Sequence, residues 1–143
     1  MDEQNYILEA EKKVVDIKGL PEGLPKREIN TVGIIGAGTM GGGIAMNFAN
    51  VGIPAHIVET SQDQLDKGIR NISNNYERSV NRGKISKEQV TDRFKLISSS
   101  TQLTDLGHCD LIVEAVYEDL DLKKRIFKAV SYTHLTLPTT VFV

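Results

Sequence analysis

The feature that most constrains this chain is a short apolar segment that runs directly into a glycine-rich turn. Thr31–Ile35 is apolar and partly β-branched, as is typical of a buried parallel strand. Gly36, Gly38 and Gly41 follow at once, with the spacing G-x-G-x-x-G. In a strand–turn–helix unit the first glycine permits the tight turn, the second lets a pyrophosphate approach the backbone, and the third allows close packing of helix and sheet. The sequence therefore predicts a dinucleotide-binding turn.

An acidic residue follows the second predicted strand. Glu59 ends the run Ile53–Glu59 and lies 18 residues after Gly41. A carboxylate at this place accepts hydrogen bonds from the adenosine ribose and repels a 2′-phosphate. Because 60–62 contain no arginine, we expect NAD rather than NADP. Without the glycines, Glu59 would be read as an ordinary solvated acid at a strand end.

Strand and helix signals alternate along the middle of the chain. A helix is predicted from about Met40 to Asn50, and Ser61 with Gln64 and Ser86 with Gln89 form capping boxes that open two further helices. There follow a strand at 94–97, a loop at 98–101, a strand at 110–116 and a helix that begins near Asp119. This order predicts an α/β fold, a Rossmann-type doubly wound parallel sheet with a helical hairpin inserted after the second strand.

The composition divides the chain into three segments. Residues 1–30 read as the end of a helix and a linker, since Gly19–Pro25 holds two prolines and two glycines. Residues 31–129 hold the alternating elements and form the predicted cofactor domain, which we expect to be incomplete. Residues 130–143 differ, because the stretch from Ser131 onward has four threonines and no Asp, Glu, Lys or Arg.

Charge and cysteine content exclude several classes of protein. The chain carries 17 Lys+Arg against 19 Asp+Glu, which argues against a nucleic-acid-binding surface. The single cysteine, Cys109, cannot form an internal disulfide and has no metal-ligand partner at useful spacing. No apolar run approaches the ~20 residues that span a bilayer. We therefore expect no metal site, no membrane span and no nucleic-acid partner, and we expect His56 and His108 to serve no chemistry.

Two segments resemble the L-3-hydroxyacyl-CoA dehydrogenases. Gly-Ala-Gly-Thr-Met-Gly-Gly-Gly-Ile-Ala at 36–45 is similar to their cofactor turn, and Ile112–Leu120 followed by Lys123 is similar to their fourth strand and the next helix. The helical pair between Ser61 and Arg93 fits, because this family inserts a helical hairpin after its second strand. The Leu-Pro-rich linker resembles that of multifunctional fatty-acid oxidation proteins, in which an enoyl-CoA hydratase domain comes first.

The resemblance implies a set of cofactor contacts. Its members are Gly36, Gly38, Thr39, Met40, Gly41, Glu59, Ala115, Val116, Glu118 and Lys123. The glycine-turn residues would line the pyrophosphate, and Glu59, where many members have Asp, would hold the adenosine ribose. Ala115, Val116 and Glu118 would flank the nicotinamide half. Lys123 would reach the cofactor from the next helix; its alternative is an ordinary surface lysine.

The resemblance also implies a reaction and its partners. The family oxidises the C3 hydroxyl of a (3S)-3-hydroxyacyl-CoA in fatty-acid β-oxidation, with a histidine, oriented by a glutamate, taking the proton. In relatives both follow a Ser-Asn-Thr-Ser strand end that this sequence lacks, so we expect no catalytic residue in this chain and no activity from it alone. The complete protein is expected to form a homodimer or larger complex in a bacterial cytoplasm, or in a peroxisome or mitochondrion if eukaryotic.

Two other functions remain open. One is a non-catalytic NAD-binding module, since a fold by itself does not prove activity. The other is a related β-hydroxyacid dehydrogenase, against which the long polar helical hairpin argues.

The end of the chain carries a hypothesis of its own. Val130–Thr139 would be encoded by GTC TCT TAT ACA CAT CTG ACG CTG CCG ACG, which looks like a transposase-type sequencing adapter. We therefore expect the native sequence to end near Ala129 and residues 130–143 to be a non-native tail. We expect a long DNA read across the junction of Ala129 and Val130 to continue into a Ser-Asn-Thr-Ser strand and then a histidine and a glutamate. A genomic Val130–Val143 followed by a stop would instead favour the non-catalytic module.

Overall fold

A computed structural model of the chain describes residues 3–14, 19, 21, 23–25, 28–117, 119–133 and 140–142. The strands are β1 (Val32–Ile35), β2 (Ala55–Val58), β3 (Ile97–Ser100), β4 (Leu111–Glu114) and β5 (Thr140–Phe142). The helices are α1 (Glu3–Val14), α2 (Thr39–Asn50), α3 (Gln62–Asn81), α4 (Lys87–Lys95) and α5 (Leu120–Thr133), with a 3₁₀ helix at Leu103–His108.

The five strands form one parallel sheet in the order β3-β2-β1-β4-β5. β1 lies in the centre, and the strand order reverses there. Its last residue, Ile35, is level with Val58 of β2 and Glu114 of β4. The predicted Rossmann-type sheet is thereby confirmed, and the carboxyl ends of three neighbouring strands meet at one edge. In an open α/β sheet, ligands bind at such an edge.

Apolar side chains fill both faces of the sheet. On one face, α2 and α3 cover a core that includes Ile34, Ile57 and Tyr76, all at most 1% exposed. On the other, the 3₁₀ helix and α5 cover a smaller core around Val58, Leu106 and Ile112. β1 and β4 are buried along their whole length, which explains why both read as continuous apolar runs.

The helical hairpin follows β2 as predicted, and one of its two capping boxes is complete. Ser86 and Gln89 exchange both hydrogen bonds, at 2.9 and 3.2 Å. Ser61 accepts from the Gln64 N–H at 3.4 Å, but its own N–H donates to a Glu59 carboxylate oxygen at 3.4 Å. A neighbouring acid has thus taken the donor that a full capping box would use.

The third strand lies later in the chain than predicted. Phe94 and Lys95 belong to α4, and the strand is Ile97–Ser100, which covers most of the predicted loop at 98–101. Serine is a poor strand former, but parallel pairing places Ser98 opposite His56. The imidazole lies 2.7 Å from the Ser98 Oγ and 3.1 Å from the Ser100 Oγ, so hydrogen bonding across the strands outweighs local propensity.

The predicted domain boundary falls inside a helix. α5 continues past it to Thr133, and Val130, 4% exposed, packs in the smaller core. Residues 134–139 lie outside the described residues, and β5 then pairs with β4. Neither observation bears on the origin of residues 130–143, so the boundary stays a prediction.

Two glycines in helices provide a matched test of the close approach of α3 to the turn that precedes α2. A Cβ on Gly68 of α3 would overlap the Ala37 carbonyl oxygen and lie 2.7 Å from the Ala37 Cβ, whereas a Cβ on Gly43 of α2 would meet nothing within 4 Å. We expect Gly68→Ala to lower the free energy of unfolding by ~1–3 kcal/mol through overpacking. Gly43→Ala should raise it by ~0.5–1 kcal/mol, because alanine is the better helix former. Urea denaturation of both variants measures this, and a stabilised Gly68→Ala would contradict the close approach.

Candidate functional site

The turn after β1 depends on a glycine at its first position. Gly36 has φ of 105°, a conformation that side-chain-bearing residues rarely adopt. A Cβ on it would lie 2.6 Å from the Ala115 carbonyl oxygen. Its N–H donates to the Val58 carbonyl at 2.8 Å. The turn is therefore held between β2 on one side and the segment after β4 on the other.

Gly41 and Gly38 serve the turn in different ways. A Cβ on Gly41 would overlap the Gly36 carbonyl oxygen, so α2 reaches the end of β1 only because this position has no side chain. A Cβ on Gly38 would meet nothing within 4 Å, which leaves open space in front of its backbone. Gly38 is also the N-cap of α2, and no described side chain hydrogen-bonds to that helix end.

The start of α2 thus fits a phosphate group. The first N–H groups of a helix have no partner within it, and they lie at the positive end of its dipole. Thr39 and Met40 are the first two residues of α2, and both are exposed. An anion could therefore approach the backbone at Gly38 and accept hydrogen bonds from these N–H groups.

Glu59 lies beside the turn, one strand over. One carboxylate oxygen accepts from the Ala37 N–H at 3.3 Å. The other accepts from the Ser61 N–H at 3.4 Å and the Thr60 hydroxyl at 3.5 Å. The half-buried side chain therefore ties the glycine turn to the start of α3, and it is not a freely solvated acid at the strand end.

A cavity of about 300 Å³ joins the turn to the segment that connects β4 and α5. The sequence-predicted residues on its wall are Gly36, Gly38, Glu59, Ala115 and Val116. Its apolar lining comes from Ile35, Val58, Leu103, Tyr117, Leu122 and Ile126, together with Thr60. One cavity therefore has a glycine turn, a carboxylate and an apolar wall, the mixture expected of a cofactor site.

Among the remaining predicted residues, Lys123 forms an ion pair. Its ammonium lies 3.1 Å from a carboxylate oxygen of Glu114, and its side chain is 17% exposed. It is therefore a largely buried member of an ion pair, and its contact with the cofactor stays a prediction. Glu118 lies outside the described residues.

Glu114 is a residue that the sequence analysis passed over. It ends β4, is 1% exposed, and accepts a 2.6 Å hydrogen bond from the Val116 N–H in addition to its pairing with Lys123. The available signal was one acid inside the apolar run from Leu111 to Val116. A charge buried in a strand needs a partner, and Lys123 follows within reach.

The wall of this cavity does not include Cys109, His56 or His108. Burial, reinforced by Asp110, raises the pKa of the Cys109 thiol to about 11. Burial and the neighbouring His108 lower the pKa of His56, while Asp105 opposes them. Among the described residues no group of three His, Cys, Asp or Glu could hold a metal ion, and no helix is long and apolar enough to cross a membrane.

Known proteins are similar to this chain in sequence. Residues 31–142 match the family model described as 3-hydroxyacyl-CoA dehydrogenase, NAD binding domain, a range that includes both sides of Val130. The peroxisomal bifunctional enzyme of Cavia porcellus is 41% identical over 105 residues, which are 73% of this chain and 14% of that protein. The 3-hydroxybutyryl-CoA dehydrogenase of Bradyrhizobium diazoefficiens is 36% identical over 99 residues, covering 69% of this chain and 34% of that protein.

Solved structures agree with the sequence matches. The crystal structure of (S)-3-hydroxybutyryl-CoA dehydrogenase from Ralstonia eutropha superposes with a TM-score of 0.72 at 35% identity, covering 74% of this chain and 38% of that one. This chain therefore spans well under half the length of each relative compared.

The open space at Gly38 generates a binding prediction. We expect Gly38→Val to abolish NADH binding, because its side chain would occupy the path of the pyrophosphate. The free energy of unfolding should fall by only ~1 kcal/mol, the cost of a poorer N-cap. Gly43→Ala, also in α2, is the control and should bind NADH like the unaltered chain. Titration followed by NADH fluorescence measures both, and an unchanged affinity in Gly38→Val would contradict the placement of the pyrophosphate.

Proposed function

This chain belongs to the family of NAD-binding domains of 3-hydroxyacyl-CoA dehydrogenases, and from that premise we propose that it is the cofactor-binding part of an enzyme of fatty-acid β-oxidation. The complete enzyme would oxidise (3S)-3-hydroxyacyl-CoA to 3-oxoacyl-CoA. The observation that carries the proposal is the family match over residues 31–142, which includes every described residue on the wall of the cavity.

The described residues supply distinct parts of the NAD site. The pyrophosphate would lie over Gly38 and accept hydrogen bonds from the N–H groups in the first turn of α2, at Thr39, Met40 and Gly41. The ribose hydroxyls of the adenosine would donate to the Glu59 carboxylate, whose orientation the Ala37 and Ser61 N–H groups already hold.

The opposite half of the cofactor would lie beyond β4. Ala115 and Val116 line the cavity there, with Glu118 and Lys123 completing the proposed contacts. When bound, NAD supplies the acceptor for the hydride from C3 of the substrate. The contribution of this chain is to bind and orient the cofactor and to keep water from one side of the reacting ring, through apolar residues such as Leu122 and Ile126.

The proton-transfer groups are assigned to sequence that this chain does not contain. The relatives compared are about three to seven times longer than the matched segments, so there is ample room in them for further domains. The partners proposed for the complete protein are an acyl-CoA substrate, a preceding hydratase domain and a second copy of the chain. The relative named as bifunctional supports a second catalytic domain in the complete protein.

The location proposed for the complete protein is the bacterial cytoplasm, or a peroxisome or mitochondrion if it is eukaryotic. The relatives compared include a dehydrogenase from a bacterium and an enzyme named as peroxisomal, which supports a bacterial or a peroxisomal origin.

The preference for NAD over NADP tests the proposed role of Glu59. The unaltered chain should bind NADH at least about tenfold more tightly than NADPH, since a carboxylate repels the 2′-phosphate. Glu59→Gln removes that charge but keeps an acceptor oxygen, so it should weaken NADH binding only modestly and reduce the discrimination. Equilibrium titration with both nucleotides measures the ratio.

The control is Glu88→Gln, the same chemical change on the exposed first turn of α4. It should leave both affinities unchanged. An unaltered chain that binds NADPH as tightly as NADH would contradict the role of Glu59, and one that binds neither would contradict the proposed function.

A further inference from the structure

Glu114 is the single buried charged residue in the part of the chain that the structure describes. Both oxygens of its carboxylate are engaged, one by the Val116 N–H at 2.6 Å and the other by the Lys123 ammonium at 3.1 Å. An uncompensated buried charge is strongly destabilising, so this geometry must be maintained for the carboxylate to remain in place. A carboxylate held in this way fixes the positions of the Val116 amide and the Lys123 ammonium.

The sheet order places this ion pair on one side of the cofactor turn. Ile35, the last residue of the central strand, is level with Val58 of β2 and with Glu114 of β4. Glu59 follows Val58 on the side proposed for the adenosine. Because β4 flanks β1 on the opposite side, Glu114 and Lys123 lie where the nicotinamide half of a dinucleotide would extend.

Further bonds hold the segment between β4 and α5 at both ends. The Ala115 N–H donates to the Ile35 carbonyl at 2.8 Å, which fastens the segment to β1. At the far end, the Asp119 carboxylate caps α5 by accepting from the Leu122 N–H at 2.7 Å. The Glu114 carboxylate bridges these two fixed ends through Lys123, and with its other oxygen it orients the Val116 amide on the cavity wall.

We propose that Glu114 is a positioning residue for the nicotinamide half of the cofactor. Its carboxylate holds the Lys123 ammonium and the Val116 amide in the arrangement that this half requires, while the adenosine half is bound independently by the glycine turn and Glu59. This inference rests on the proposed function. It predicts that removing the charge of Glu114 weakens the binding of NADH but not the binding of ADP.

The test variant is Glu114→Gln, which keeps the size of the side chain and an oxygen for the Val116 N–H but removes the charge that holds Lys123. We expect the Kd for NADH to rise about tenfold, equivalent to ~1.4 kcal/mol. The Kd for ADP, a probe of the adenosine and pyrophosphate sites alone, should change by less than about twofold. Isothermal titration calorimetry with each ligand measures both constants.

A matched control and the choice of temperature separate positioning from simple stabilisation. Asp92 and Lys95 form an ion pair of similar length, 3.0 Å, on the exposed surface of α4, so Asp92→Asn should change neither affinity. Glu114→Gln leaves the Lys123 charge partly buried and should lower the Tm. Binding is therefore measured at a temperature well below the Tm of Glu114→Gln, so that a weaker affinity for NADH cannot come from unfolding.

Other results of these titrations would each contradict a specific part of the proposal. If Glu114→Gln, measured while it is folded, weakens the binding of NADH and ADP equally, the ion pair only stabilises the fold. If the unaltered chain binds both ligands and Glu114→Gln changes neither, the positioning role is wrong while the NAD site stands. If the unaltered chain binds neither ligand, the proposed function is wrong and this inference with it.

Discussion

The approach of α2 to the end of β1 is the constraint on which the rest of this structure depends. The two elements meet where Gly41 lies against the Gly36 carbonyl oxygen, a contact that leaves no room for a Cβ. The same turn presses Gly36 against the Ala115 carbonyl, so the segment after β4 is drawn to the same place. Three strand ends and one helix start therefore converge, and the cavity is the space that remains between them.

Two carboxylates lie on either side of the turn after β1, and their surroundings suit them to different roles. Glu59 is half-buried, and its hydrogen bonds run 3.3–3.5 Å, so it can exchange partners when a ligand arrives. Glu114 is enclosed, with a short hydrogen bond and an ion pair, and exchange would leave a buried charge without compensation. One acid is suited to contact a ligand and the other to hold the wall on which the ligand rests.

Local patterns predicted those parts of the molecule whose cause is local. The turn after β1 follows from glycine spacing, and the start of α4 follows from the reciprocal bonds of Ser86 and Gln89. β3 was misplaced because its serines are held by pairing with β2 and by His56, a residue some forty positions earlier. Glu114 was missed for the same reason, because its role depends on an ion pair with a lysine in the next helix.

The sequence by itself determined the class of fold, the glycine turn and the acid beside it, and hence the choice of cofactor. These features follow a fixed spacing within about 30 residues of one strand–turn–helix–strand unit, so the sequence pattern alone indicates them. Only the tertiary structure decided that Lys123 is buried against Glu114 and that the serines after Ile97 form a strand rather than a loop. Those outcomes depend on which charges are shielded from water and which strands lie adjacent, and neither is a property of any local segment.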